Sequence, residues 1–137
     1  MDAVSNQRVH PRISISGKIK FSFIAFKIGE NGKYEEDISI IETQIRDISL
    51  GGISFEDVRS YEPGMKGYIF IVIGRRRYAL VGEVVRCISG QNAYQVGIAL
   101  DKNLNDDGMF EPSEEIVELI QRLEVLLEHD PNYTNIT

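Results

Sequence analysis

The sequence predicts a mainly β domain, a small antiparallel barrel or sandwich with one C-terminal helix docked on it, and three observations carry that expectation. Apolar residues alternate with polar ones at period two through most of the first hundred positions. Gly, Pro, Ser and Asn interrupt that alternation at turns, and only after Pro112 does the apolar spacing lengthen to three and four.

The elements follow in order. Over 13–23 the apolar side chains sit on odd positions, the mark of a half-buried strand. At Ile24, Phe26 and Ile28 they move to even positions, which predicts a bulge or bend before Gly29-Glu-Asn-Gly32 turns the chain. A second strand returns over 38–48, Ser49-Leu-Gly-Gly52 breaks it, and 53–58 begins a third. Pro63-Gly64 marks a turn, 68–73 is a short continuously apolar strand, and Gly74 followed by Arg75, Arg76 and Arg77 reverses it into 78–88. Ser89-Gly-Gln-Asn92 leads into the last strand, 94–100, which ends in a polar run from Asp101 to Gly108. Ile116, Leu119, Ile120, Leu123, Leu126 and Leu127 then form one helical stripe, with Pro112 or Ser113 as the start and Asp130-Pro131 as the stop. Glu114 and Glu115 suit the positive end of that helix.

Composition sets bounds. A chain of 137 residues, 42% hydrophobic and 26% charged, can bury a core without staples. One cysteine, Cys87, and two histidines, His10 and His129, leave no disulfide framework and too few ligands for a Cys/His zinc site. A net charge of −6 argues against broad binding to DNA or RNA while leaving room for a local basic site for a small anion. No basic leader runs into an apolar segment and no apolar run approaches a membrane span, so the cytoplasm is the expected compartment.

Two constellations could carry chemistry. Arg8-Val-His-Pro-Arg12 puts two guanidinium groups on a short arm in which Pro11 stiffens the backbone and biases His10 towards extended geometry. Guanidinium is planar, permanently charged and bidentate, so a pair suits a phosphate ester or the O6/N7 edge of guanine. Taken alone, a solvated arm explains the same residues more simply. In Asp47-Ile-Ser-Leu-Gly-Gly52, alternation points Asp47 and Ser49 to one face and Ile48 to the other. A carboxylate accepts from the donor edge of guanine, and glycines let backbone approach a ligand, although a plain Ser-stabilised turn also accounts for them.

In combination, Arg8-x-x-x-Arg12 and Asp47-x-Ser49-x-x-Gly52 resemble the RxxxR and (D/N)xSxxG pair of PilZ domains, bacterial receptors for cyclic di-GMP. Gly82-Glu-Val-Val-Arg86 and Val96-Gly97-Ile98 are similar to later strands of that family, so the likeness runs in order from about residue 8 to about residue 100. It departs in a long first hairpin, with 29–37 as the excursion, and in Gln7, where many members carry another arginine. The resemblance implies a six-stranded antiparallel PilZ-type β-barrel (13–100), an arginine-bearing arm (1–12) folded over one end, and a linker and C-terminal α-helix (101–137) of the same domain. It implies that Arg8 and Arg12 hold phosphates and guanine Hoogsteen edges, that Asp47 and Ser49 meet guanine polar groups, and that Gly52 permits the turn. His10, Gln7 and Arg86 are further candidates, Gly82 and Gly97 are expected to serve barrel packing, and the ligand is one cyclic di-GMP or an intercalated pair. The arm is expected to order on binding and so change the surface offered to an output protein.

The alternative is a PilZ-like interaction module that binds no nucleotide, for example in type IV pilus assembly. No nucleophile–base pair, carboxylate dyad or metal cluster emerges, so no enzyme and no cofactor are expected. Arg75-Arg76-Arg77 reads as a solvated hairpin tip or a patch for an anionic partner, and Cys87 as a small core residue. Asp101-x-Asn103-x-Asn105 begins like a calcium loop but lacks its glycine and its terminal glutamate. The helix is expected to cover a barrel opening, with a homodimer as its other use.

Overall fold

Alternation in the first strand is carried through without a change of face. In the computed structural model, which describes residues 12–28, 34–35 and 40–136, β1 (Ile13–Ile28) buries Ile15, Ile19, Phe21, Phe23 and Ala25. Ile24 and Phe26 lie half-buried on the outer face. The apolar shift at 24 is therefore an apolar outer face rather than the expected bulge. The one irregularity of β1 against β3 (Ile40–Ile48) comes earlier, between Ser14 and Ile19.

A two-residue β2 (Tyr34–Glu35) pairs with the end of β1. Then come β4 (Gly52–Asp57), β5 (Lys66–Ile73), β6 (Arg76–Ser89) and β7 (Tyr94–Leu100). The hydrogen-bonded order β1-β3-β4-β7-β6-β5 closes where β5 returns antiparallel to β1, from Ser22 opposite Phe70 to Phe26 opposite Lys66. Of the barrel and the sandwich that the strand pattern left open, this is the barrel, with the six antiparallel strands that the family resemblance implied, and closure removes the exposed edges an open sheet would leave. Inside it, Phe21 meets Phe55 edge-on at 5.1 Å, and Phe55 meets Tyr61 at 5.6 Å. The Tyr61 hydroxyl donates to Asp57 Oδ2 at 2.6 Å, and burial first, then Asp57, raises its pKa. Half-buried Cys87 packs against this core and accepts from the Tyr61 N–H.

Helix α1 (Glu114–His129) starts where Ser113 Oγ accepts from the Ile116 N–H, and it closes the barrel with Ile116, Leu119, Ile120 and Leu123. Its docking corrects the reading of the arginine run. Only Gly74 and Arg75 form the turn, because Ile73 already pairs with Arg76. Arg76 donates to Glu115 at 3.1 Å and to both oxygens of Glu118 at 3.1 and 3.2 Å, and it stacks over the Tyr78 ring at 4.8 Å. That guanidinium holds the Glu118 carboxyl below its ordinary range, while burial first and Glu118 second raise the Tyr78 hydroxyl. Beyond the helix, Asn135 accepts from the Lys20 N–H and donates to the carbonyls of Lys20 and Val72, bridging β1 and β5 where their own pairing stops.

Two short strands, β8 (Lys102–Leu104) and β9 (Phe110–Pro112), form a hairpin in what read as a polar linker. Asn105 Oδ1 accepts from the N–H groups of Asp107 and Met109, so this carboxamide organises the turn. Among the described residues no helix is long and apolar enough to cross a membrane.

Candidate functional site

Two bulges set the outer face around β4. One falls between Ile45 and Asp47 against β4, the other between Val84 and Arg86 against β7. A bulge re-aims the side chains that follow it. Beyond these two, the register lines up Ser14, Asp47, Ser54, Gly97 and Arg86 as one row across β1, β3, β4, β7 and β6. Val84 is buried while both Val85 and Arg86 are exposed, so the second bulge is what turns Arg86 to this wall.

The turn Ser49–Gly52 closes the row at one side. The N–H of each of Ser49 and Gly52 donates to the other's carbonyl, at 2.9 and 3.4 Å, and Ser49 Oγ accepts from the Gly51 N–H. A Cβ at Gly52 would stand 2.6 Å from the carbonyl oxygen of Ile98, so no side chain fits between β4 and β7 there. At Gly97 a Cβ would lie 3.4 Å from a terminal nitrogen of Arg86. Glycine at 97 thus leaves room for the Arg86 guanidinium to lie against β7. The expectation for Gly82 fits what is seen, since its neighbours are Ile98 and Ala99, but Gly97 belongs to the site wall.

Two adjoining depressions of about 230 and 200 Å³ occupy this wall and share Arg12, Asp47, Ser54 and Arg86. Ser49 and Gly52 line the larger, Arg46 and Gln95 the smaller. Arg12 Nη1 reaches Asp47 Oδ1 at 3.5 Å, an ion pair at the long limit of a hydrogen bond, with the side chains 37% and 23% exposed. The Arg86 guanidinium makes no hydrogen bond or ion pair with the described residues. The wall therefore offers three guanidinium groups, of which Arg46 is already paired with Glu56 at 3.0 Å, together with the Asp47 carboxylate and the hydroxyls of Ser14, Ser49 and Ser54, a set for holding an anion and polar base edges.

Of the residues expected from sequence, Arg12, Asp47, Ser49, Gly52 and Arg86 come together here. Gln7, Arg8 and His10 lie outside the described residues. Sequence reasoning missed Ser14 and Ser54. The signal for Ser54 was available, because it is the outward residue between buried Ile53 and Phe55.

The sequence matches the model of the PilZ domain over residues 6–122. No curated protein sequence matches it. Among solved structures it is similar to the PilZ domain of CeSA from a cellulose-synthesizing bacterium, at 18% identity and TM-score 0.55, over 83% of this chain and 98% of that one. It is also similar to the PilZ domain of YcgR from Escherichia coli, described with c-di-GMP, at 16% identity and TM-score 0.55, over 91% and 94% of the two chains. A third likeness, to the K. pneumonia MrkH–c-di-GMP complex, has 14% identity and TM-score 0.54 over 90% of this chain, which spans 55% of MrkH. At these identities the structural likeness speaks for the barrel, the sequence match speaks for the family, and the two agree: the chain belongs to the PilZ domain family.

Proposed function

We propose that this domain is a receptor for cyclic di-GMP that acts through protein contacts and not by turning the nucleotide over. The observation that carries this reading is the row Ser14–Asp47–Ser54–Gly97–Arg86 with Arg12 beside it, a wall of exposed and half-buried polar side chains with few partners among the described residues. Two of the similar structures, the PilZ domain of YcgR with c-di-GMP and the MrkH–c-di-GMP complex, support the choice of ligand.

On this reading Arg12, with Arg8, grips phosphate oxygens and the Hoogsteen edge of guanine. Asp47 leaves Arg12 on its exposed side and accepts from the guanine N1–H and N2–H edge, and Ser49 and Ser54 offer hydroxyls to the same base. Arg86, lying against Gly97, offers a flat cation on which a purine stacks. Gln7 and His10 border the grip. Charge-assisted contacts from Arg8 and Arg12 tie the arm to the bound nucleotide. Occupancy thereby changes the surface shown to an output protein of motility or biofilm control in the cytoplasm.

The test is a titration of isotopically labelled protein with cyclic di-GMP followed by amide shifts. Gly97, Ser54, Gly52 and Ala99 move first and saturate, while Leu119 and Leu123 stay still. Saturation elsewhere moves the site, and no shift in a folded protein at high micromolar ligand returns the domain to a nucleotide-free interaction module.

A further inference from the structure

The strand that the sequence writes as continuously apolar is apolar on both faces. In β5, Ile69, Ile71 and Ile73 fill the core while Tyr68, Phe70 and Val72 stand outside at 40–46% exposure. The register puts Val81 and Ala79 of β6 opposite Tyr68 and Phe70, and Ile24 and Ser22 of β1 on their other side. Tyr68 packs on Phe26 at 5.3 Å and lies 6.4 Å from Phe70. The result is a contiguous apolar patch on the outer wall, where a barrel facing only water would carry polar side chains. It is centred on β5, which stands opposite β4 in the six-strand ring, so the nucleotide wall is on the far side.

We infer that this face is where two copies of the chain meet, with β5 of one lying over β6 of the other about a two-fold axis parallel to the strands. Two features of the patch fit a second copy. The first is size: that axis sets Tyr68 and Phe70, the large residues of β5, over Val81 and Ala79, the small residues of β6, in both directions. The second is charge: Lys66 and Glu83 are cross-strand neighbours at one end of the patch, and neither forms an ion pair with the described residues. The same axis places each Lys66 over the partner's Glu83.

Sedimentation velocity of the full chain without nucleotide, from low to high micromolar protein, tests this. The expected result is a weight-average coefficient that climbs towards the dimer value. Phe70→Lys abolishes the climb, and Lys66→Glu and Glu83→Lys each weaken association at least about tenfold by setting like charges together. Mixing the two single-charge variants restores dimers, because the carboxylate introduced at position 66 of one copy then meets the ammonium introduced at position 83 of the other. Neither variant carries that pairing within its own chain, so the rescue cannot come from repaired folding, and circular dichroism of each confirms the barrel. A wild type that stays monomeric throughout overturns the inference. So does a dimer that survives Phe70→Lys or the charge changes, or a mixture that stays monomeric.

Discussion

Arg12 and Arg76 are almost equally exposed, at 37% and 39%, yet they sit in opposite circumstances. Arg76 has three N–H···O contacts at 3.1–3.2 Å to two helix carboxylates and a tyrosine ring beneath it. Among the described residues Arg12 has one contact, to Asp47 at 3.5 Å. Exposure alone does not separate a structural arginine from one available to a ligand; the saturation of its donors does. At the helix end the chain supplies both halves of the interaction. On the β4 wall it supplies one half and leaves glycine where a side chain would have filled the space.

The contrast can be broken most severely at Arg12. Arg12→Ala should lower cyclic di-GMP affinity about 100-fold in equilibrium dialysis with no change in melting temperature, since a charge-assisted grip is lost and no packing with it. If melting falls as well, Arg12 is structural after all. The glycines sharpen the same point. Gly52→Ala presses a Cβ on a backbone carbonyl and should cost about 2 kcal/mol in denaturant unfolding. Gly97→Ala sets its Cβ against the Arg86 side chain alone, 3.4–3.6 Å from it, and most tightly against the mobile guanidinium, so the fold should survive while affinity drops about tenfold.

Arg76→Met should do the reverse of Arg12→Ala, lowering the melting temperature by a few degrees and leaving nucleotide affinity within about twofold. The smallest effect is on pH. Arg76 lowers the Glu118 pKa, so that pair stabilises the fold above the usual carboxylate value of 4.5 and its contribution is lost as pH falls below it. Tyr78 has a raised pKa, so the native state keeps a proton that the unfolded chain releases above about 10, and stability declines there. In Arg76→Met the acid limb should flatten, as read from urea midpoints between neutral and acid pH.

Much of this was legible in the chain. Period-two alternation gave the strands, and Ser49–Gly52 and Ser113 gave the turn and the helix start, because each is a local pattern with a local cause. What stayed hidden depends on pairing between distant segments. The row through Ser54 and Gly97 exists only once two bulges fix the register, and a bulge leaves no mark in composition. Arg76 read as part of a solvated tip because its carboxylates lie 39 and 42 residues away on the helix. Ile24 and Phe26 read as a change of phase because an apolar outer face and a displaced inner one write the same letters.

A receptor needs the β4 wall to be a site that a nucleotide completes. The most direct measurement is titration calorimetry of cyclic di-GMP into the wild type, Arg12→Ala and Arg76→Met side by side. Saturable heat of the same affinity in the wild type and Arg76→Met, and its loss in Arg12→Ala, is the predicted result. No heat in a folded wild type, or equal heat in all three, would contradict it.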